Sequence, residues 1–122
     1  MPTPSSVKQR SAEKNMAAKI YAAAKVRLLE IWDYTENTWG EAQADKYVRN
    51  LIAAIHSVGG QRHRWRPVLD EALQGVFFFR HQHHYVFFRE LRKGAIGVIS
   101  ILHENMYLPA RLREDSERGA GE

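Results

Sequence analysis

A chain of 122 residues with 44% hydrophobic and 26% charged residues has room for one domain with one modest core, and two domains would not fit. No apolar run approaches the roughly 20 residues of a membrane span, and the polar stretch 1–15 lacks the apolar centre of a signal peptide. The absence of cysteine removes disulfides and suits a reducing cytoplasm. The net charge of +4 is unevenly spread. Lys8, Arg10 and Lys14 against Glu13 give residues 1–15 a charge of +2, and Arg113 and Arg118 against Glu114, Asp115, Glu117 and Glu122 give residues 112–122 a charge of −2. The body keeps +4, a mild surplus that serves solubility and suits an anionic partner without demanding one.

Residues 1–15, with two prolines and three serines, read as a disordered extension. Met16 opens the compact part, a domain expected over 16–113, and offers a second start of translation. Ala18-Lys19-Ile20-Tyr21 is a short edge strand with Ile20 inward. From Ala22 the apolar spacing becomes helical, and Val26, Leu29, Trp32 and Glu36 mark one face, widened by Leu28, Ile31 and Tyr34. Trp39-Gly40 ends this helix. A second helix runs from Glu41 to Val58 with Ala44, Val48, Leu51, Ile55 and Val58 on one face, and Glu41 and Asp45 suit the positive end of its dipole. Gly59-Gly60 stops it, and the tight joint at Gly40 makes the two helices an antiparallel hairpin.

Gln61 to Gln74 is a connector that opens with the densest basic cluster of the chain, Arg62-His63-Arg64-Trp65-Arg66-Pro67. Three strand signals follow: Val76 to Phe79, Tyr85 to Phe88, and Ile96 to Leu102. A turn at His81-Gln82-His83 joins the first two, and Arg92-Lys93-Gly94 joins the last two. The expected architecture is α+β: an N-terminal edge strand, an α-hairpin and a three-stranded antiparallel meander. Residues 114–122 are expected to be a flexible tail.

Two helices cover one face of such a sheet, yet both faces of its strands are apolar. Phe77 and Phe79 oppose Val76 and Phe78 across the sheet, and Tyr85 and Phe87 oppose Val86 and Phe88. Burying one such side chain is worth about 1.5–3 kcal/mol, a large share of a domain stability of about 5–15 kcal/mol. Two readings stand open for the uncovered face. A partner segment lies across it as a helix or an added strand, or Ile20, Met106, Leu108 and Leu112 fold back over it.

The order of elements resembles the RelE/ParE superfamily of bacterial toxins. Leu29-Glu30-Ile31-Trp32-Asp33-Tyr34-Thr35, Trp39-Gly40-Glu41-Ala42-Gln43-Ala44, Tyr85-Val86-Phe87-Phe88-Arg89 and Ile99-Ser100-Ile101-Leu102-His103-Glu104-Asn105-Met106 are similar to the ParE branch in particular. The likeness covers roughly Ala18 to Leu112. It implies the toxin of a type II toxin–antitoxin pair, of the kind tied to plasmid stabilisation. Such a toxin acts by binding DNA gyrase rather than by catalysis, and a ParD-like antitoxin neutralises it. Cofactors, membrane partners and specific DNA binding form no part of that expectation. The alternative within the superfamily is a ribosome-dependent mRNA endoribonuclease of the RelE type.

That alternative needs a base for a ribose 2′-hydroxyl, a cation for phosphorane charge and an acid for the leaving oxygen. Arg80, His103 and Tyr107 are the residues available for it, and the last strand carries no cation. His103 reads first as a hydrogen-bonded cap at the strand end, and Tyr107 as a ring packed on the sheet rather than an acid. For the gyrase reading the target-binding candidates are Arg80, Arg89, His103, Tyr107 and Arg111. Antitoxin-binding candidates are Phe77, Phe79, Tyr85, Phe87 and Trp32. Arg62, Arg64 and Arg66 are nucleic-acid candidates, with Trp65 either stacking on a base or buried as the connector's anchor. His81, His83 and His84 lack the further ligands of a zinc tetrahedron, and a solvated hairpin turn accounts for them.

Overall fold

The computed structural model describes residues 18–105, 112 and 114–117. The extension expected over 1–15 lies outside them, as do Met106, Tyr107, Leu108 and Arg111. The elements run β1 (Ala18–Ile20), α1 (Ala22–Trp39), α2 (Glu41–Val58), β2 (Arg66–Pro67), β3 (Val76–His81), β4 (His84–Arg92) and β5 (Ala95–His103). Single 3-10 turns lie at Arg62–Arg64 and Glu71–Leu73. The sheet order is β1-β5-β4-β3-β2. β1 pairs parallel to β5 and the remaining neighbours are antiparallel, so the expected meander stands with one strand on each flank. The two-residue β2 comes from the connector; its proline cannot donate to a ladder, which suits an edge.

The helical hairpin covers one face. Ala24 and Ile31 of α1 and Leu51, Ile55 and Val58 of α2 pack on Phe79, Val86, Phe88, Ile96, Val98 and Ile101. The face expected for α2 is the one it buries. The face expected for α1 is buried only in part, through Ile31 and the packed Leu28. Val26, Leu29 and Tyr34 are exposed, and Ala23, Ala24, Arg27 and Ile31 are the buried residues. An inward arginine breaks the apolar pattern that sequence reading follows, and its compensating charge is far away in the chain.

Gly40 joins the helices at φ 97°, a region that side-chain-bearing residues rarely enter. Gly59 has a different task. A Cβ there would lie 2.6 Å from the Gly94 carbonyl oxygen, so α2 ends where its backbone touches the β4–β5 turn. Trp65 is buried against Phe77 and Phe88 at 5.2 and 5.1 Å between ring centroids. Its indole N–H donates to the Val58 carbonyl at 2.8 Å. Trp65 is thereby the anchor of the connector, and its ring is not free to stack on a base.

The second face carries a smaller core of Leu73, Val76, Phe87, Ile99, Leu102 and Leu112, flanked by Tyr21, Val68, Phe78 and Tyr85. Part of the cover is therefore the chain's own, with Leu112 folding back as one reading expected. Of the tail expected over 114–122, residues 114–117 are among those described. Residues 114–117 are helical, and Asp115 is fully buried.

Candidate functional site

The cover on the second face is incomplete. A groove of about 440 Å³ remains, lined by Val68, Leu69, Leu73, Phe78, Tyr85 and Leu112 among others. Phe78 meets the Tyr85 ring edge-on at 5.8 Å and the Phe87 ring at 5.9 Å. The connector forms one wall. Asp70 accepts a hydrogen bond from the Ala72 N–H at 2.9 Å, and the Val68 N–H donates to the Val76 carbonyl at 2.9 Å. Between these two ties Leu69 stands 93% exposed. Arg80 lies over the Tyr85 ring at 5.7 Å and pairs with Glu104 at 2.6 Å, while Arg66 is exposed on β2. An apolar floor with arginines at its margin fits an amphipathic, acidic polypeptide segment.

A second cleft, of about 610 Å³, opens between α1, the tip of the helical hairpin, the β3–β4 turn and the end of β5. Four histidines gather near it. His81 and His84 are cross-strand partners, and His84 pairs in turn with His103. The Tyr47 hydroxyl hydrogen-bonds His84 Nδ1 at 2.7 Å. Burial pushes the His84 pKa down to about 4, reinforced by the neighbouring His103, His81 and His83. Burial also lowers His81 and raises Tyr47. His83 contacts Glu104 at 2.8 Å, and that bond, with Arg80 adjoining, holds the Glu104 carboxyl below its usual range. The turn residues Gln82 and His83 are exposed, as a solvated turn implies, while His81 and His84 on either side of it are part-buried and packed. Among the described residues no group of three or more His, Asp or Glu is placed to hold a metal ion.

The residues singled out from sequence fall in separate places. Phe79 and Phe87 are buried on opposite faces, and Phe77 packs partly buried on the helical side. Of the antitoxin candidates only Tyr85 and Phe87 line the groove. Trp32 donates its indole N–H to Asp45 at 2.9 Å, tying α1 to α2. Phe78, Val68 and Leu69 line the groove and were not singled out. The two-residue turn that pairs Phe78 with Phe87 decides this, and strand alternation alone does not fix that register.

Arg62 pairs with Glu90 and stacks on Trp65. Arg64 lies over Phe79 at 5.3 Å and donates to Gln61 at 2.9 Å. Arg62 and Arg64 are therefore both engaged with other side chains of the connector and sheet, although Arg62, like Arg66, stays exposed. Arg89 donates to the Gln74 carbonyl and the Ser116 hydroxyl at 3.1 and 3.3 Å, tying the C-terminal turn to β4. His103 Nδ1 accepts the Asn105 N–H at 3.0 Å, the capping role open to it from sequence.

Arg80 and His103 set out from opposite faces, and Glu104 at the end of the sheet feels the charge of both. Alternation places Arg80 on the side of Phe78 and His103 on the side of Ile101, which are opposite faces. Tyr107 and Arg111 lie outside the described residues.

The model of the ParE toxin of the type II toxin–antitoxin system, parDE, matches residues 19–107. Toxin ParE1 of Mycobacterium tuberculosis is 36% identical over 84 residues, covering 69% of this chain and 85% of that protein. Toxin ParE of Escherichia coli is 31% identical over 93 residues, 76% of this chain and 89% of the relative. A solved chain from the chromosomal ParDE system of P. aeruginosa superposes with a TM-score of 0.58 at 21% identity, covering 74% of this chain and 97% of that one, a likeness of fold. With β1, the helical hairpin and the meander all inside the matched span, the chain belongs to the ParE toxin family of type II toxin–antitoxin systems.

Proposed function

We propose that this ParE-family toxin acts in the cytoplasm by binding DNA gyrase, and that a ParD-like antitoxin neutralises it by laying an amphipathic segment in the groove on the second face of the sheet. The observation that supports the antitoxin site is the groove itself, with Leu69 exposed beside an aromatic floor. Exposed apolar surface next to an unfilled groove is costly until a partner covers it. Binding is favoured over ribonuclease chemistry because Arg80 is committed to Glu104 and lies on the face opposite His103. A general acid–base pair needs both groups within reach of one phosphate.

The test pairs two assays on the purified chain. Inhibited gyrase supercoiling with translated message left intact supports this reading. Cleavage of message in the ribosomal A site, with gyrase unaffected, overturns it. Relief of the inhibition by the ParD-like partner, and loss of that relief in a groove variant, tests the antitoxin half.

A further inference from the structure

The cations of the chain body gather in two segments that the fold joins. Residues 61–67 hold Arg62, Arg64 and Arg66 with no acid between them, and the β4–β5 turn adds Arg92 and Lys93. A Cβ at Gly59 would meet the Gly94 carbonyl oxygen, so the connector sets out from α2 beside that turn. Arg62 reaches Glu90, two residues before Arg92. From there the connector runs to β2 at the edge of the sheet, where Arg66 pairs with Phe78 of β3. The result is a basic strip around one end and one edge of the molecule.

Most of this charge is not neutralised within the fold. Glu90 offsets Arg62. Among the described residues no carboxylate forms an ion pair with Arg64, Arg66, Arg92 or Lys93. Arg66, Arg92 and Lys93 are exposed, and Arg64 is half-buried. Five cations against Glu90 leave +4, which equals the whole surplus of residues 16–111. None of the five lines the apolar groove or the cleft, and Arg66 alone stands at the groove's margin. Concentrated, unpaired positive charge is the electrostatic footprint of a polyanion site.

We propose that this strip holds the phosphodiester backbone of duplex DNA, so that the toxin grips the DNA on which gyrase works as well as gyrase itself. This rests on the gyrase reading, and it adds a contact that binding to the enzyme alone does not require. The planar guanidinium fork matches phosphate oxygens in geometry and charge. A protein partner would want an apolar centre to the patch, and the strip offers none. Trp65 is buried, with Arg62 over its ring at 4.7 Å. Leu91, the exposed apolar residue beside Arg92, lies against Gly97. Contacts confined to phosphates position a protein on DNA without reading its sequence.

Fluorescence anisotropy of a short labelled duplex of arbitrary sequence, titrated with the full chain, tests the proposal. Four unneutralised cations give an expected slope of log affinity against log salt of about −3 to −4. Arg92→Glu with Lys93→Glu, both at exposed positions, is expected to keep the melting temperature and weaken duplex binding at least tenfold. Its salt slope should be shallower by about 2. The double variant is expected to bind gyrase without DNA as the unaltered chain does, yet to inhibit supercoiling at least tenfold less potently. Absent or salt-insensitive duplex binding, in a chain that still inhibits gyrase, overturns the DNA contact and leaves the gyrase reading standing. Equal loss of gyrase binding with and without DNA also overturns it, because the strip then meets an acidic protein surface. An RNA stem of equal length bound tenfold more tightly than the duplex overturns the choice of DNA. Duplex binding with the expected slope, by a chain that never engages gyrase, supports the DNA contact and overturns the gyrase reading instead.

Discussion

Asp115 and Arg27, 88 positions apart in the chain, form a buried bidentate pair: Nε donates to one carboxylate oxygen at 2.9 Å and the second guanidinium nitrogen to the other at 3.0 Å. The Ser100 hydroxyl adds a third bond to Asp115 at 2.6 Å. The pair stitches the C-terminal turn to α1 and the end of β5, and it explains why a helix face with an arginine on it is the buried one.

Removing Arg27 strands the fully buried Asp115 charge, and removing Asp115 leaves Arg27 with Glu30 alone, at a cost of up to about 3–5 kcal/mol. Asp115→Ala and Arg27→Ala are each expected to lower the denaturation midpoint strongly. Replacing both together with apolar residues, Arg27→Met with Asp115→Leu, should recover much of the loss, because no unpaired charge remains. A double variant as unstable as the singles would show that the hydrogen bonds matter in themselves. Urea melts of the four proteins settle it.

Acid sensitivity follows from His84. Its pKa in the fold is about 4 against about 6.5 in an unfolded chain, so the unfolded state binds the proton first as pH falls. The stability conferred by neutral His84 is complete above about pH 6.5 and declines as the pH drops towards about 4. The site is partly solvated, so the expected loss is on the order of 1 kcal/mol rather than the full shift. Melting temperatures between pH 7.5 and 4.5 should fall, and His84→Gln should flatten that decline. His81, lowered by burial and Arg64, contributes in the same direction.

The groove reading has its own variant. Leu69 makes up one wall yet is almost wholly exposed, so Leu69→Glu should change stability by less than about 0.5 kcal/mol. It is expected to weaken antitoxin binding by about tenfold or more, equivalent to about 1.4 kcal/mol. Calorimetric titration of the antitoxin against both proteins reads this directly. Equal affinities would remove Leu69 from the interface.

The adjacent glycines at the end of α2 should behave differently. Gly59→Ala places a methyl 2.6 Å from the Gly94 carbonyl oxygen, and overpacking of this kind costs about 1–3 kcal/mol. At Gly60 the nearest atom, the Ser57 carbonyl oxygen, is 3.9 Å from a built Cβ. Gly60→Ala is therefore expected to be neutral, or to stabilise by up to about 1 kcal/mol through the unfolded state. Thermal melts of the two variants test the contrast.

Local pattern was enough for the element order, the joint at Gly40, the inward face of α2 and the opposition of Phe77 and Phe79 to Val76 and Phe78. Each depends on neighbours within a few residues. The same pattern misplaced part of the inward face of α1, because what buries Arg27 is a carboxylate near the far end of the chain. It also grouped Phe79 with Phe87, which strand pairing puts on opposite sides.

Sequence by itself determined the fold class and, through family likeness, the kind of protein this is, because helical and strand periodicity and turn chemistry are short-range properties. Only the tertiary structure decided which aromatics remain on the groove, which arginines are paired within the chain and where β1 leaves the edge of β5. Those outcomes turn on a two-residue hairpin register, a register shift and an ion pair closing across 88 positions. They are long-range geometry that no local window contains.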